Sequence, residues 1–387
     1  MLGTLEKAIS TCQKYPLAFC KFIAANDVGT TGTHQAGIYI PKGAYKILFD
    51  TAGHKGENKE RFVKIKWQDD FQTDSRFIWY GRGTRSEYRI TRFGRGFPFL
   101  KDQYIGDLFV IVKVSEEDYA AFIISSDEEI ESFLDAFCMS PSDTNTLIKM
   151  DQMLDSTVTL ETLFSEYISK LDTNFPTTFE IAKASREIYV KIKKGKTLNS
   201  ADKALVQWLD IEFQLFKIIE NDRYSERISK PFQTVDELIQ YANTLLNRRK
   251  SRAGRSLEHH LAAMFTHYTL SYTAQARTEG TKKPDFIFPS EEAYHSLNFQ
   301  SNGLTFLGAK TTCKDRWRQI LNEADRIDEK HLFTLQQGIS KNQLTEMYNH
   351  KIKLVVPKDY IGSFPKEFRE NILSLENFIQ MIKAKNT

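Results

Sequence analysis

The segments Pro284-Asp285-Phe286-Ile287-Phe288 and Leu304-Thr305-Phe306-Leu307-Gly308-Ala309-Lys310 set the architecture of the second half of this chain. They predict two short apolar strands, the first opened by an acid and the second closed by a lysine. Glu323 follows after the charged segment Lys314-Asp315-Arg316-Trp317-Arg318. Carboxylates hold Mg²⁺, and a lysine stabilises charge on phosphorus oxygens. Two acids and a lysine at strand ends therefore suit metal-dependent hydrolysis of a phosphodiester.

Each of these residues also has an ordinary structural explanation. A Pro-Asp pair is common in turns, and a lysine at a strand end often extends into solvent. Glu323 strengthens the functional interpretation, because we place it on a helix directly after the Lys310 strand, from which it can point back to the same sheet edge. Glu258, on a preceding predicted helix, is a further candidate carboxylate.

Helices and strands alternate around these two segments. Helices are predicted at 201–220, 235–250, 254–267, 316–325 and 341–350, and strands at 285–288, 304–310, 331–335 and 352–357. This order predicts an α/β domain built on a mixed sheet. Open sheets of this kind usually place their sites at strand ends.

The first half of the chain has a different pattern. Strands are predicted at 37–41, 45–49, 61–67, 76–80 and 108–114, followed by a helix at 127–137. Short strands separated by turn residues favour a small barrel or sandwich. A further helix is predicted at 179–194. We place the two domains at 1–170 and 196–387, joined by a linker at 171–195.

Composition favours a globular protein with local basic patches. The chain has 387 residues, 41% of them hydrophobic, and a formal net charge of only +3. Basic residues are concentrated at 81–96 and 248–255, which suits binding of a polyanion at defined places. For 248–255, a contact between domains and binding of phosphate both stay open at this point. The four cysteines are scattered and form no CxxC pair, so a structural zinc site is not expected. We find no membrane span or signal peptide and expect a soluble cytoplasmic protein.

These segments resemble the EcoRII family of restriction endonucleases, within the PD-(D/E)xK nuclease superfamily. The resemblance spans nearly the whole chain and includes the segment Arg252-Ala-Gly-Arg-Ser-Leu-Glu258-His. Ala309 stands where the superfamily has an acid, which this family supplies from the following helix, and Glu323 fits that position. The resemblance implies Mg²⁺ as cofactor, Asp285 and Glu323 as its ligands, Lys310 as a water-activating or charge-stabilising group, and Glu258 as a supporting carboxylate. It also marks Tyr294 as an active-site candidate, although a packed aromatic in a long loop is an equally good interpretation.

The segment Lys314-Asp315-Arg316 follows the catalytic strand closely. In similar enzymes this segment reads a C:G core in the major groove. Lysine and arginine donate to guanine O6 and N7, and aspartate accepts from the cytosine amino group. A charged turn with local ion pairs is the alternative, and the preceding motif makes us favour base readout.

The region 26–42 resembles the N-terminal effector domain of the same family, a pseudobarrel like the plant B-three DNA-binding domains. Two arms of that fold grip the major groove, and here they correspond to 30–42 and 85–95. The candidate contacts are His34, Tyr39, Lys42, Arg82, Arg85, Glu87, Arg89, Arg92 and Arg95. A solvated hairpin with a basic face is the alternative, but five arginines against one acid in 81–96 favour DNA binding.

Together these resemblances imply a type II restriction endonuclease of two modules. The N-terminal domain would bind one copy of a palindromic CC/GG-containing site, with CCWGG favoured, and the C-terminal domain would dimerise and cut another copy of double-stranded DNA. The N-terminal domain could activate the enzyme, inhibit it, or do both. Two alternatives stay open at this point: a DNA-binding protein with an inactive nuclease fold, and a modification-dependent nuclease.

Overall fold

An eight-stranded mixed sheet forms the first half of the computed structural model, which describes residues 3–29, 37–148, 158–193, 198 and 200–385. Its elements are α1 (Thr4–Lys14), β1 (Ala18–Phe22), β2 (Ile38–Ile40), β3 (Lys59–Trp67), β4 (Gln72–Tyr80), β5 (Glu87–Thr91), β6 (Leu108–Lys113), β7 (Asp118–Ile124), α2 (Asp127–Ala136) and β8 (Thr146–Ile148). The strand order is β2-β5-β4-β3-β7-β6-β1-β8. Among the strands that the structure describes in this sheet, only β3 and β7 pair in parallel.

A short 3-10 helix closes this sheet into a barrel-like shape. It covers Lys42–Ile47 and contacts β1, β5 and β8, so it lies between the two ends of the curled sheet. The segment 45–49 was predicted as a strand, and that prediction is wrong. Ala44 and Ile47 are buried three residues apart, a spacing that places both on one side of a 3-10 helix but on opposite faces of a strand.

The second half is built on a six-stranded mixed sheet with helices around it. Its elements are α3 (Val158–Ser169), α4 (Thr178–Ile192), α5 (Ala201–Ile228), α6 (Val235–His267), β9 (Thr273–Ala274), β10 (Phe286–Phe288), α7 (Glu291–His295), β11 (Thr305–Lys310), β12 (Lys330–Thr334), α8 (Lys341–Asn349), β13 (Ile352–Val356), β14 (Leu373–Ser374) and α9 (Leu375–Lys385). The strand order is β14-β13-β12-β11-β10-β9. The four strands from β11 to β14 are parallel, and β9 and β10 run antiparallel. The prediction of a β N-terminal domain and an α/β C-terminal domain is confirmed.

Most of the predicted linker, 171–195, is helical. Helix α4 begins at the cap residue Thr177 and buries Ile181 and Ile188 against α5 and α6. Phe164 on α3 is fully buried in the same core. Helices α3 and α4 therefore belong to the core of the second sheet, and the segment 149–157 lies outside the described residues.

The helices predicted at 235–250 and 254–267 form one helix of 33 residues, α6. Gly254 lies inside it, where a helix tolerates glycine at a cost of about 1 kcal/mol relative to alanine. Among the described residues, no helix is long and apolar enough to cross a membrane. The four cysteines are buried and unbridged.

Candidate active site

Asp285 and Lys310 meet at one edge of the second sheet. Strand β10 is antiparallel to β11, so the residue that precedes β10 lies beside the end of β11. The Asp285 carboxylate accepts a hydrogen bond from the backbone N–H of Ala309 at 2.8 Å. Lys310 Nζ lies 3.6 Å from Asp285 Oδ2. The sheet register thus brings together the acid and the lysine that were predicted from the sequence.

Glu258 joins this pair through a residue that the sequence analysis missed, Gln275. The Gln275 side-chain amide donates to Glu258 Oε2 at 3.0 Å and to Asp285 Oδ1 at 3.2 Å. Its backbone N–H donates to the Asp285 carbonyl at 3.0 Å, because it directly follows strand β9. No sequence motif marks this glutamine, and its position depends on the pairing of β9 with β10.

Glu323 lies near the same group, but not on the α-helix that was predicted at 316–325. Arg316–Asn322 is a 3-10 helix, and Glu323 is the extended residue that ends it. Burial raises the pKa of the Glu323 carboxyl, the charge of Asp285 raises it further, and Lys310 opposes the shift. Glu323 is therefore within electrostatic reach of both residues.

Burial also raises the pKa of Glu258, again with a contribution from Asp285 and an opposing one from Lys310. Three carboxylates in a partly buried region resist simultaneous ionisation, and an added cation relieves that repulsion. Their hard oxygen donors fit Mg²⁺. Within the described ranges, however, no three His, Cys, Asp or Glu side chains are already arranged as a metal site.

Tyr294 is packed rather than open to this cluster. Its side chain is 2% exposed, and its hydroxyl donates to Glu279 and accepts from the backbone N–H of Arg326. This environment favours the packed-aromatic interpretation, while its role as an active-site residue stays a prediction.

The segment Lys314-Asp315-Arg316 lies against helix α2 of the first domain. Asp127 accepts hydrogen bonds from the backbone N–H groups of all three residues, at 3.1, 2.6 and 3.1 Å. The Lys314 ammonium pairs with Asp107, and burial lowers the pKa of Lys314 to about 8. Asp107 and Asp127 are almost fully buried.

A second acid of α2 holds the arginine of this segment. Glu131 Oε1 lies 2.6 Å from Arg316 Nη1, and it also accepts from the hydroxyls of Thr311 and Thr312 at 2.9 and 3.1 Å. The side chains of Lys314 and Arg316 are thus paired with carboxylates of the N-terminal domain, and Asp315 Oδ2 accepts from the backbone N–H of Asp127 at 3.4 Å.

The predicted DNA contacts of the first domain fall into two groups. Five basic side chains are exposed: Lys42, Arg82, Arg85, Arg92 and Arg95. Arg89 is only 5% exposed and donates to the Gly37 carbonyl at 3.1 Å and to Glu87 at 3.2 Å, so it connects β5 to the start of β2. Tyr39 and Glu87 are half-buried. His34 and most of the first predicted arm lie outside the described residues.

Comparison with known proteins gives one family match for each half of the chain. Residues 12–146 match the family described as restriction endonuclease EcoRII, N-terminal, and residues 216–379 match the family described as EcoRII C terminal. The two matches define the domain composition of a restriction endonuclease. The type II restriction enzyme EcoRII of Escherichia coli is 37% identical over 400 residues, which cover 95% of this chain and 94% of that protein. The chain belongs to the EcoRII family, and it is a site-specific DNA-cutting enzyme.

Two solved structures are also similar. Metal-depleted Ecl18kI in complex with uncleaved, modified DNA has a TM-score of 0.45 and 17% identity, covering 58% of this chain and 84% of that one. The PspGI–substrate DNA complex has a TM-score of 0.44 and 16% identity, covering 55% of this chain and 93% of that one.

Proposed function

We propose that this protein is a Mg²⁺-dependent type II restriction endonuclease that cuts double-stranded DNA at a palindromic CC/GG-containing site, with CCWGG favoured. The observation that carries the proposal is the group of Asp285, Lys310 and Glu258 at one sheet edge, joined by Gln275. Hydrolysis by water would leave 5′-phosphate and 3′-hydroxyl ends.

Asp285 and Glu323 would hold Mg²⁺, with Glu258 as a supporting carboxylate. The bound ion would supply Lewis-acid polarisation of the scissile phosphate and its attacking water. Lys310 keeps its ammonium 3.6 Å from Asp285, where it can stabilise negative charge on a phosphoryl oxygen. Gln275 holds two of the carboxylates in fixed relative positions.

Base readout would fall to Lys314, Asp315 and Arg316, whose side chains suit a C:G pair. Asp107, Asp127 and Glu131 now hold that segment. Helix α2 therefore competes with DNA for the same groups, which supports autoinhibition by the N-terminal domain. Binding of a second site copy to the exposed arginines of that domain would release the segment.

A homodimer is proposed because a palindrome presents the same contacts twice. An apolar stripe on the first half of α6 supports it. Val235, Leu238, Ile239 and Leu246 are 72%, 47%, 52% and 47% exposed. At helical spacing they lie on one face, so the same stripe of a second copy could cover it across a two-fold axis.

Digestion of unmethylated plasmids that carry one or several CCWGG sites, with Mg²⁺ or with EDTA, tests the function. We expect discrete, metal-dependent fragments, and faster cutting of plasmids with several sites. Lys310→Ala protein should bind the same DNA without cutting it. Absence of cutting by the unmodified protein under every condition, with binding retained, would refute the nuclease.

A further inference from the structure

Three polar residues on one face of α6 contact a single acid of α5. Arg252, Ser256 and His260 follow one another at four-residue intervals, which places them on the same side of the helix. The Ser256 hydroxyl donates to Glu212 Oε2 at 2.6 Å, and His260 Nε2 lies 2.6 Å from the same oxygen. Arg252 Nη1 lies 3.9 Å from Glu212 Oε1. One carboxylate thus has partners along two turns of α6.

This network is buried and keeps its charge at Glu212. Glu212 and His260 are 0% exposed. Burial raises the pKa of Glu212, but the hydrogen bond and charge of His260 and the charge of Arg252 lower it below its ordinary value, so the carboxyl stays ionised. Burial lowers the pKa of His260 and keeps the imidazole neutral. Arg186 of α4 donates to His260 Nδ1 at 3.1 Å, which leaves the ring proton on Nε2, facing Glu212.

The surroundings of the network are apolar. Leu209, Phe213 and Leu257 belong to the same buried core. A buried charge costs free energy even when it is paired, and apolar side chains of similar volume often fill such positions equally well. Apolar contacts, however, tolerate small rotations of a helix, whereas hydrogen bonds with preferred directions do not. The presence of a charged network in this core therefore favours a role in fixing the orientation of α6.

Glu258 lies between the two hydrogen-bond donors in sequence but on the other side of the helix. Two residues turn an α-helix by about 200°, so Glu258 points away from Glu212. It points instead to Gln275, which donates to it at 3.0 Å and also to Asp285. A slip of α6 by one residue would turn it by about 100° and shift it by about 1.5 Å, which would break the contacts on both sides. The rotation of α6 that satisfies Glu212 is therefore the one that places Glu258 beside Asp285.

We propose that Glu212 is a positioning residue, which fixes the rotation of α6 through Ser256 and His260 and thereby holds Glu258 against Gln275. The inference rests on the proposed nuclease function and extends it to a residue buried on the far side of α6. Glu212 acts only through Glu258, so its contribution to cleavage depends on the presence of that carboxylate.

The test measures single-turnover cleavage of a plasmid with several sites by full-length Glu212→Gln protein, alone and combined with Glu258→Gln. Glutamine keeps the size of the side chain but presents N–H donors where the carboxylate accepts. We expect cleavage to slow by about tenfold when Glu258 is present, and by less than about twofold in the Glu258→Gln background. An equal loss in both backgrounds would overturn the proposal, since a general structural defect acts whether or not Glu258 is present.

Two further variants accompany this pair. Glu220→Gln removes another α5 carboxylate that bonds α6, at Arg249, about two and a half turns before Glu258, and it should cleave at the unmodified rate. Ser256→Ala removes one donor, keeps the buried charge, and serves if Glu212→Gln protein does not fold. It should slow cleavage by roughly threefold, again only when Glu258 is present. An unmodified rate in Ser256→Ala protein, or a tenfold loss in Glu220→Gln protein, would contradict the positioning role.

A crystal structure of Glu212→Gln protein, or of Ser256→Ala protein if the former does not fold, separates this inference from the nuclease itself. We expect α6 to be turned about its axis and the 3.0 Å hydrogen bond from Gln275 to Glu258 to be lost. If the unmodified protein cuts no DNA, the nuclease proposal fails, and this structure alone decides the role of Glu212. An unchanged contact between Glu258 and Gln275 would refute that role in either case.

Discussion

At the scale of single residues, Gln275 connects two of the proposed catalytic groups. Its amide holds Glu258 and Asp285 at 3.0 and 3.2 Å, although burial and mutual repulsion disfavour two charged carboxylates there. Gln275→Ala should lower the single-turnover cleavage rate by about thirtyfold, since it loses two hydrogen bonds worth about 1 kcal/mol each. Exposed Gln300→Ala serves as the control. Equal rates for the two variants would show that Gln275 does not position the carboxylates.

Asp210 makes stability depend on pH. Burial raises its pKa from 3.8 to about 7, and the charge of Asp143 in the first domain adds to the shift. Between pH 3.8 and about pH 7 the unfolded chain releases this proton while the folded chain keeps it, so the free energy of unfolding falls as the pH rises. Asp210→Asn should therefore raise the free energy of unfolding at pH 8 by on the order of 1–4 kcal/mol. The melting temperature at pH 8 should rise accordingly. The difference should vanish near pH 4, and thermal melts at both pH values check it.

At the scale of elements, α6 shows how a local signal misled the sequence analysis. Two helices were predicted, at 235–250 and 254–267, but a single helix continues because Leu257, Leu261 and Met264 pack into the core. A Cβ at Gly254 would meet nothing within 4 Å. Gly254→Ala should therefore stabilise the protein by about 0.5–1 kcal/mol in chemical denaturation. Gly106→Ala is the contrasting control, since its Cβ would lie 2.4 Å from the Gly338 carbonyl at a φ of +90°. A destabilised Gly254→Ala would contradict the continuous helix.

The stripe on the first half of α6 gives a second prediction at this scale. Ile239→Glu places a charge in the centre of the apolar face, which would be buried in a dimer. We expect monomers by light scattering at concentrations where the unmodified protein is dimeric. Exposed Asn243→Glu on the flank should leave the assembly unchanged. Dimers of Ile239→Glu protein would exclude this face as the interface.

The elements that the sequence predicted best are those with a strong local pattern. Strand β3 and the first half of β4 alternate buried and exposed residues. Asp285 and Lys310 stand at the ends of short apolar strands, so the strand pattern marks the places where the charged residues lie. The contacts that the sequence could not provide are long-range. The pairing of β9 with β10 positions Gln275, and α2 covers a segment nearly 190 residues away along the chain. No residue type or spacing encodes such contacts.

At the scale of the whole molecule, the two domains meet in part at Lys314–Arg316, the segment that we propose reads bases. Asp127→Asn with Glu131→Gln removes two of the acids that hold Lys314–Arg316. Cleavage of single-site DNA should rise several-fold, because DNA then competes with a weaker internal partner. Exposed Glu128→Gln on the same helix is the control. Unchanged single-site cleavage in the double variant would argue against autoinhibition.

The core of the C-terminal domain limits where the chain can be cut to remove the N-terminal domain. Phe164 is fully buried with residues of α4 and α5, so a truncation near residue 175 would expose the core of the catalytic domain. A truncated enzyme should instead begin within 149–157. Higher single-site activity of that protein would agree with the paired acid variants.

Helix α6 spans roughly 50 Å as one rod. Its first half carries the apolar stripe, Arg249 donates to carbonyls of the N-terminal domain, and Glu258 shares Gln275 with Asp285. A rod transmits displacement along its axis with little loss. In the proposed mechanism, partner binding, release of the N-terminal domain and placement of Glu258 would therefore be coupled through this one helix.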